Sequence, residues 1–152
     1  MTRRNPRLQD CPVEFFFPTR AAPTTTLTLR GPDSGHTEGI DKRQVIQVTP
    51  ADEMIVYTRG PKSYSVDISL SFLNRAQRDA LESFWDTHTD GAAETFEVTI
   101  PDYSTAMDDG SLTRWTHYTG CEFEIGTIEF AETHNGFFSV SLQMRASGKA
   151  FV

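Results

Sequence analysis

Four histidines, two cysteines and one aspartate pair are the side chains here that would first suggest a reaction or a bound metal. His36, His88, His117 and His134 are scattered, and of these His117 and His134 could meet across strands. Two imidazoles without a third ligand make a weak zinc site, because zinc takes at least three protein ligands. His88 lies near the end of a helix candidate, where a partly buried or dipole-stabilised imidazole is the ordinary reading. Asp108-Asp109 before Gly110 offers oxygens to a divalent ion, yet the same residues are turn formers. Cys11 and Cys121 are not spaced as a metal knuckle and are too few for a disulfide framework, so both are read as reduced thiols. There is no glycine-rich phosphate loop, no HExxH motif, no calcium loop and no serine in a nucleophile elbow. The chain is read as non-enzymatic, with no catalytic residue, cofactor or metal expected.

Charge is the next signal. Lys and Arg total 14 against 21 Asp and Glu, a net charge of −7, which is wrong for a protein that binds a phosphate backbone by neutralising it. The imbalance is local. Ala93 to Asn135 holds nine acidic residues and one base, Arg114, while the other 109 positions hold twelve acids and thirteen bases. Such a stretch makes either one acidic surface or several separately solvated faces. At 152 residues the chain is the size of one domain with one core. No run approaches the roughly 18 apolar residues of a membrane span, and the basic N-terminus MTRRNPRLQD lacks the apolar segment of a signal peptide. No membrane insertion is expected.

The elements that must position these residues are mostly strands. Thr24–Arg30 alternates threonine with Leu27 and Leu29, and Gln44–Val48 and Met54–Thr58 are short strands around Pro50. Gly31–Ile40 has turn composition and is read as a hairpin tip or loop. Tyr64–Phe72 is the cleanest strand, with Tyr64, Val66, Ile68, Leu70 and Phe72 on one side and serines with Asp67 on the other. Asn74 and Gln77 then form a capping pair for one helix over about 74–89, whose apolar stripe is Ala76, Ala80, Leu81, Phe84, Trp85 and His88. Thr95–Ile100 and Leu112–Tyr118 are further strands, flanking a loop at 102–111. Gly120–Phe130 and Phe137–Arg145 are expected to form a long hairpin through Asn135-Gly136, with a bulge at Gly126-Thr127. The total is seven or eight mostly antiparallel strands around one helix. Phe15, Phe16 and Phe17 cannot all face one core from one strand, so at least one should meet a partner or a covering loop.

The succession YSVDISLSF, then ALESFWDTHTDG, then ETFEVTIPDY resembles the minor tail proteins and the N-terminal domain of distal tail proteins of long-tailed phages. The matching residues are Tyr64, Val66 and Leu70; Leu81, Glu82, Phe84, His88 and Gly91; Phe96, Thr99 and Pro101; and a closing FSVSLQMRA. The resemblance covers about Arg43 to Ala146, on core and turn positions. It implies a mainly β, tail-tube-like fold: two packed antiparallel sheets or a split barrel, flanked by the one helix. It divides the chain into an N-terminal arm at 1–17 and a single domain at 18–152. The arm and the loop from Tyr103 to Leu112 are additional to the smallest members, and the sequence carries no separate carbohydrate-binding domain.

By the same resemblance the protein is a subunit of a homo-oligomeric ring, commonly a hexamer, at the distal end of the tail tube. The ring joins the tube to the baseplate or tip and lines a channel through which DNA passes unbound. Its partners are then the tail tube protein and a tip or hub protein, in a virion assembled in the host cytoplasm. Related positions are a tube, tail-terminator or head–tail joining subunit. A monomeric ligand-binding β domain, with Trp115, Tyr118 or Phe137 lining its pocket, is the alternative of another class. In a ring, Glu94, Glu97, Asp102, Asp108, Asp109, Glu122, Glu124 and Glu129 are the acids expected to face the channel and repel DNA. Phe15, Phe16, Phe17, His36 and Ile40 are the expected subunit contacts.

Overall fold

The computed structural model describes residues 11–32, 35–58, 60–105, 112–124, 127–133 and 136–152. Among these, eleven strands and one helix form two sheets. The larger has nine strands in the order β2-β1-β7-β8-β10-β6-β3, with β11 added on β8 and β9 on β10. Its members are β1 (Val13–Phe17), β2 (Thr25–Leu29), β3 (His36–Asp41), β6 (Ser63–Leu73), β7 (Phe96–Pro101), β8 (Trp115–Phe123), β9 (Ala131–Glu132), β10 (Phe138–Ala146) and β11 (Gly148–Phe151). The smaller is a separate ribbon of β4 (Gln44–Val48) and β5 (Met54–Thr58).

Strand β8 divides the large sheet into two leaves. Its first part pairs with β7 on one side and β11 on the other; only Glu122 and Phe123 pair with β10. Between these parts sits Gly120, at φ 59°, where the β7–β8 register shifts. A β-carbon there would run into the Ser147 side chain, so glycine is required both for the turn and for the close approach. Past the bend, Cys121 and Phe123 are buried in the same core cluster as Tyr118. That cluster takes Val13, Phe15, Leu27 and Leu29 from the first leaf and Val66, Ile68, Leu142 and Met144 from the second. The leaves do not close into a barrel: among the described residues β2 and β3 end the strand path and do not pair with one another.

The helix α1 (Arg75–Ser83) starts as expected. The Asn74 side chain accepts from the Gln77 amide at 2.8 Å, and the Gln77 side chain accepts from the Asn74 amide at 3.0 Å. A π turn, Phe84–His88, continues it. The buried stripe is narrower than the sequence pattern: Leu81 and Phe84 are fully buried, Trp85 and His88 half-buried, and Ala80 exposed with Ala76. Phe84 is the helix's anchor, 5.7 Å from Phe15 and 5.6 Å from Phe96 between ring centroids. Asn74→Ala removes the acceptor for the Gln77 amide and is expected to lower stability by about 1 kcal/mol in urea titrations. Asn74→Gln, which sets the amide one methylene further out, should retain only part of the lost stability.

Several expectations are corrected. Val13–Phe17 is not arm but an interior strand, paired with β2 and with β7. His36–Asp41 is not loop but a strand, paired with β6 along its whole length. The expected terminal hairpin is paired at its two ends, Glu122 and Phe123 with Arg145 and Met144, and Ala131 and Glu132 with Ser139 and Phe138. The Thr133 amide donates to the Phe137 carbonyl at 2.7 Å across the expected turn, whose Asn135 lies outside the described residues, as does the Gly126 position of the expected bulge. On its other edge β10 pairs with β6 from Phe138–Leu73 to Ala146–Tyr64, a partner more than sixty residues away that the local pattern does not name.

Candidate assembly surface

The ribbon β4–β5 places Val48 opposite Met54, Ile46 opposite Val56 and Gln47 opposite Ile55. Residues directly opposite share a face, so Ile46, Val48, Met54 and Val56 form one apolar face. Their exposures are 60%, 69%, 67% and 49%. The other face carries Tyr57 and Ile55, also exposed, with Val45 half-buried. A free two-stranded ribbon is marginal in water, and exposed apolar side chains on both of its faces mark an interaction surface. Ile40, 56% exposed, lies at the end of β3 next to the ribbon's base.

Unpaired strand edges accompany this surface. Among the described residues β2 pairs only with β1, β3 only with β6, and β11 only with β8. Their outer backbone groups are free to pair with a neighbouring subunit.

Where β3 comes near β11, side chains replace backbone pairing. Tyr118 donates to the Glu38 carboxylate at 2.6 Å, and Lys149 Nζ lies 2.8 Å from the same carboxylate. His36 Nε2 is 3.0 Å from the Tyr118 hydroxyl. Burial would raise the Glu38 carboxyl, but hydrogen bonds from Lys149 and Tyr118 together outweigh it and hold it below its ordinary value. Burial pushes His36 down, against the opposing pull of Glu38 and Asp102. Burial and the Glu38 charge push the Tyr118 phenol far up, so it remains a donor throughout the accessible range.

On the opposite side of β7 and β8, Thr99 Oγ1 is 2.9 Å from His117 Nδ1, and His117 Nε2 is 3.0 Å from Glu97. The order hydroxyl–imidazole–carboxylate is that of a nucleophile relay. Thr99 and His117 are each only 7% exposed, Phe16 packs on the imidazole, and the Arg20 amide donates to Glu97 at 3.3 Å. A substrate has no approach to this hydroxyl, and the trio serves to satisfy polar groups under the 18–24 loop.

The expected site residues separate accordingly. Phe15 lies in the core, Phe16 on His117 and Phe17 beside His88, all against their own chain. His36 is in the Tyr118 network, and only Ile40 belongs to the exposed apolar surface. Of the acids, Glu97 is held by His117, Asp102 by Arg114 at 2.6 Å and Glu124 by Arg145 at 3.5 Å. Glu94, Glu122 and Glu129 are exposed, while Asp108 and Asp109 lie outside the described residues. Tyr118 is fully buried. A groove of about 660 Å³ runs along Ser69, Ser71, Ser139 and Ser141, with Phe130 as the one aromatic among its described lining residues. The ribbon itself had a signal in the sequence: QVIQV and MIVYT lack the polar alternation of a half-buried strand.

No protein-family model and no curated protein matches the chain. Solved structures do. One is a chain of the six-fold-symmetrised cryo-EM structure of the anti-feeding prophage baseplate, with a TM-score of 0.54, 9% identity, and coverage of 100% of this chain and 96% of that one. Another is the SPP1 tail tube, with a TM-score of 0.53, 14% identity, and coverage of 92% of this chain and 76% of that one. At such identities the likeness is one of fold: the chain has the fold seen in phage tail-tube and baseplate structural proteins.

Proposed function

We propose that this protein is a structural subunit of a phage tail that forms a ring, a hexamer, at the distal end of the tail tube and connects it to the baseplate or tip. The observation that carries the reading is the ribbon β4–β5, apolar on both faces and uncovered in the single chain. Free edges at β2, β3 and β11 supply the second kind of contact, and the fold supports the setting. The exposed acids Glu94, Glu122 and Glu129 would stand toward the channel, where carboxylates repel a DNA backbone and let it slide. A tube subunit is the second reading, favoured by the likeness to the SPP1 tail tube.

Light scattering on a size-exclusion column over a concentration series, with negative-stain images of the main peak, tests this. Single rings support the distal position and stacked tubes the tube subunit. The double variant Ile46→Lys with Val56→Lys should abolish assembly while its monomer keeps the wild-type thermal midpoint, because both side chains are solvent-exposed in the monomer. A wild-type chain that stays monomeric at every concentration and does not bind purified tube ends overturns the proposal.

A further inference from the structure

The exposed large apolar side chains of the described residues fall into three places: the ribbon with Ile40, the pair Phe72 and Phe137, and the chain end Phe151-Val152. The pair is held open by an unusual backbone. Leu73 opposes Phe138 and Leu70 opposes Val140, so β6 carries one more residue than β10 there, a bulge. Phe72 sits in it at φ 58°, a conformation that costs a residue with a β-carbon and that glycine adopts freely. The bulge turns Phe72 outward, 54% exposed, with its ring 6.1 Å from that of Phe137. The Arg30 guanidinium lies 5.3 Å from the Phe72 ring. Its Nε is buried without a hydrogen-bond partner, and Arg30 makes no ion pair among the described residues.

The ribbon's tip has the complementary chemistry. Thr49 accepts from the Asp52 amide at 3.0 Å through its carbonyl and from the Glu53 amide at 3.1 Å through its hydroxyl, which fixes the turn. The Asp52 and Glu53 carboxylates make no bond among the described residues, and exposed Val48 and Met54 flank them. We infer that the corner formed by Phe72, Phe137 and Arg30 receives the ribbon tip of a second copy, apolar against aromatic and carboxylate against guanidinium. Unlike patches on one chain make a heterologous contact, the kind that closes rings or stacks them. The inference rests on the proposed ring-forming role and names the surface through which copies join.

The test places p-benzoylphenylalanine at Met54 in the full chain, irradiates a mixture of isotopically light and heavy protein, and maps the cross-linked peptides by mass spectrometry. The expected product joins two copies through the peptide containing Phe72 or the one containing Phe137. Arg30→Glu, and separately Asp52→Arg with Glu53→Arg, should each weaken association by about tenfold or more, and the three together should restore it. Because Arg30 is half-buried, Phe72→Gly is the safeguard. It relieves the backbone and should keep the thermal midpoint within about 3 °C while still weakening association. Cross-links that join copies elsewhere, in assemblies of unchanged size, overturn this corner and leave the ring-forming role standing. Monomers with no cross-link between copies overturn the corner, and if they also fail to bind purified tube ends they overturn the ring-forming role with it.

Discussion

Phe96→Ala is expected to lower the free energy of unfolding by about 3–5 kcal/mol. The ring is fully buried in the core that both leaves and the helix share. It stacks on Phe123 at 4.6 Å, just beyond the bend in β8, and meets Phe84 of the π turn at 5.6 Å and Phe15 of β1 at 6.0 Å. Truncation therefore removes three aromatic contacts together, and the neighbours are held by β-ladders that cannot collapse into the void. A domain of this size has about 5–15 kcal/mol to lose, so the variant should fold at 25 °C yet melt far below the wild type. Urea unfolding followed by tryptophan fluorescence measures the difference. A loss under about 1 kcal/mol would mean that the site repacks and that Phe96 does not join the leaves. Phe137→Ala, at an exposed position of equal size, is the control and should change little.

The residues around Phe96 also show what could be read in advance. Strand β6 and the capping box at Asn74 are local patterns, alternation in one case and a three-residue spacing in the other; the box stands as read, and the alternation holds until the bulge, which turns Phe72 out of the apolar face and buries Leu73 instead. Strand β1 hid its alternation because both of its faces are covered: Phe15 faces the core, while Phe16 faces His117 on the far side of the sheet. An interior strand covered on both faces loses the polar half of its pattern. Strand β3, reading HTEGID, has the composition of a turn, and only its pairing with β6 makes it a strand. Strand β10 and its local partner were legible, but its pairing with β6 was not, since that register comes from two apolar faces far apart in sequence. The exposed ribbon was legible as two strands, and its apolar residues on both faces were the unused sign of a covering partner. The Glu38–Lys149 contact joins residues 111 positions apart, and no local pattern announces it.

That contact carries the second large effect. Glu38→Ala is expected to cost about 1–3 kcal/mol, because it removes the charged acceptor of the Tyr118 hydroxyl, leaving it only His36, and leaves Lys149 without its counter-ion. The carboxylate is 18% exposed and the ammonium 21%, enough to temper a buried-pair penalty but not to erase it. It is also the polar link between β3 and β11, which do not pair through their backbones, so its loss should let the open side of the sheet splay. The pH dependence has a definite sign. His36 is held below its ordinary value of 6.5, so its proton binds more readily in the unfolded chain; the stability it contributes is full above 6.5 and falls as pH drops through its lowered folded value. Glu38 is held below 4.5, so its contribution is present above 4.5 and falls at still lower pH. Asp102, whose burial pushes it up less than Ser104 and Arg114 pull it down, loses stability in the same acid range. Acid should therefore weaken the fold in two steps, and midpoints from urea titrations between pH 8 and pH 3 would resolve them. His36→Phe should flatten the upper step, and Glu38→Ala should shrink the lower one to what Asp102 and the remaining carboxylates supply. If the Glu38→Ala curve runs parallel to the wild type across the lower step, the carboxylate is not coupled to folding through Lys149 and Tyr118, and β3 is held by β6 alone.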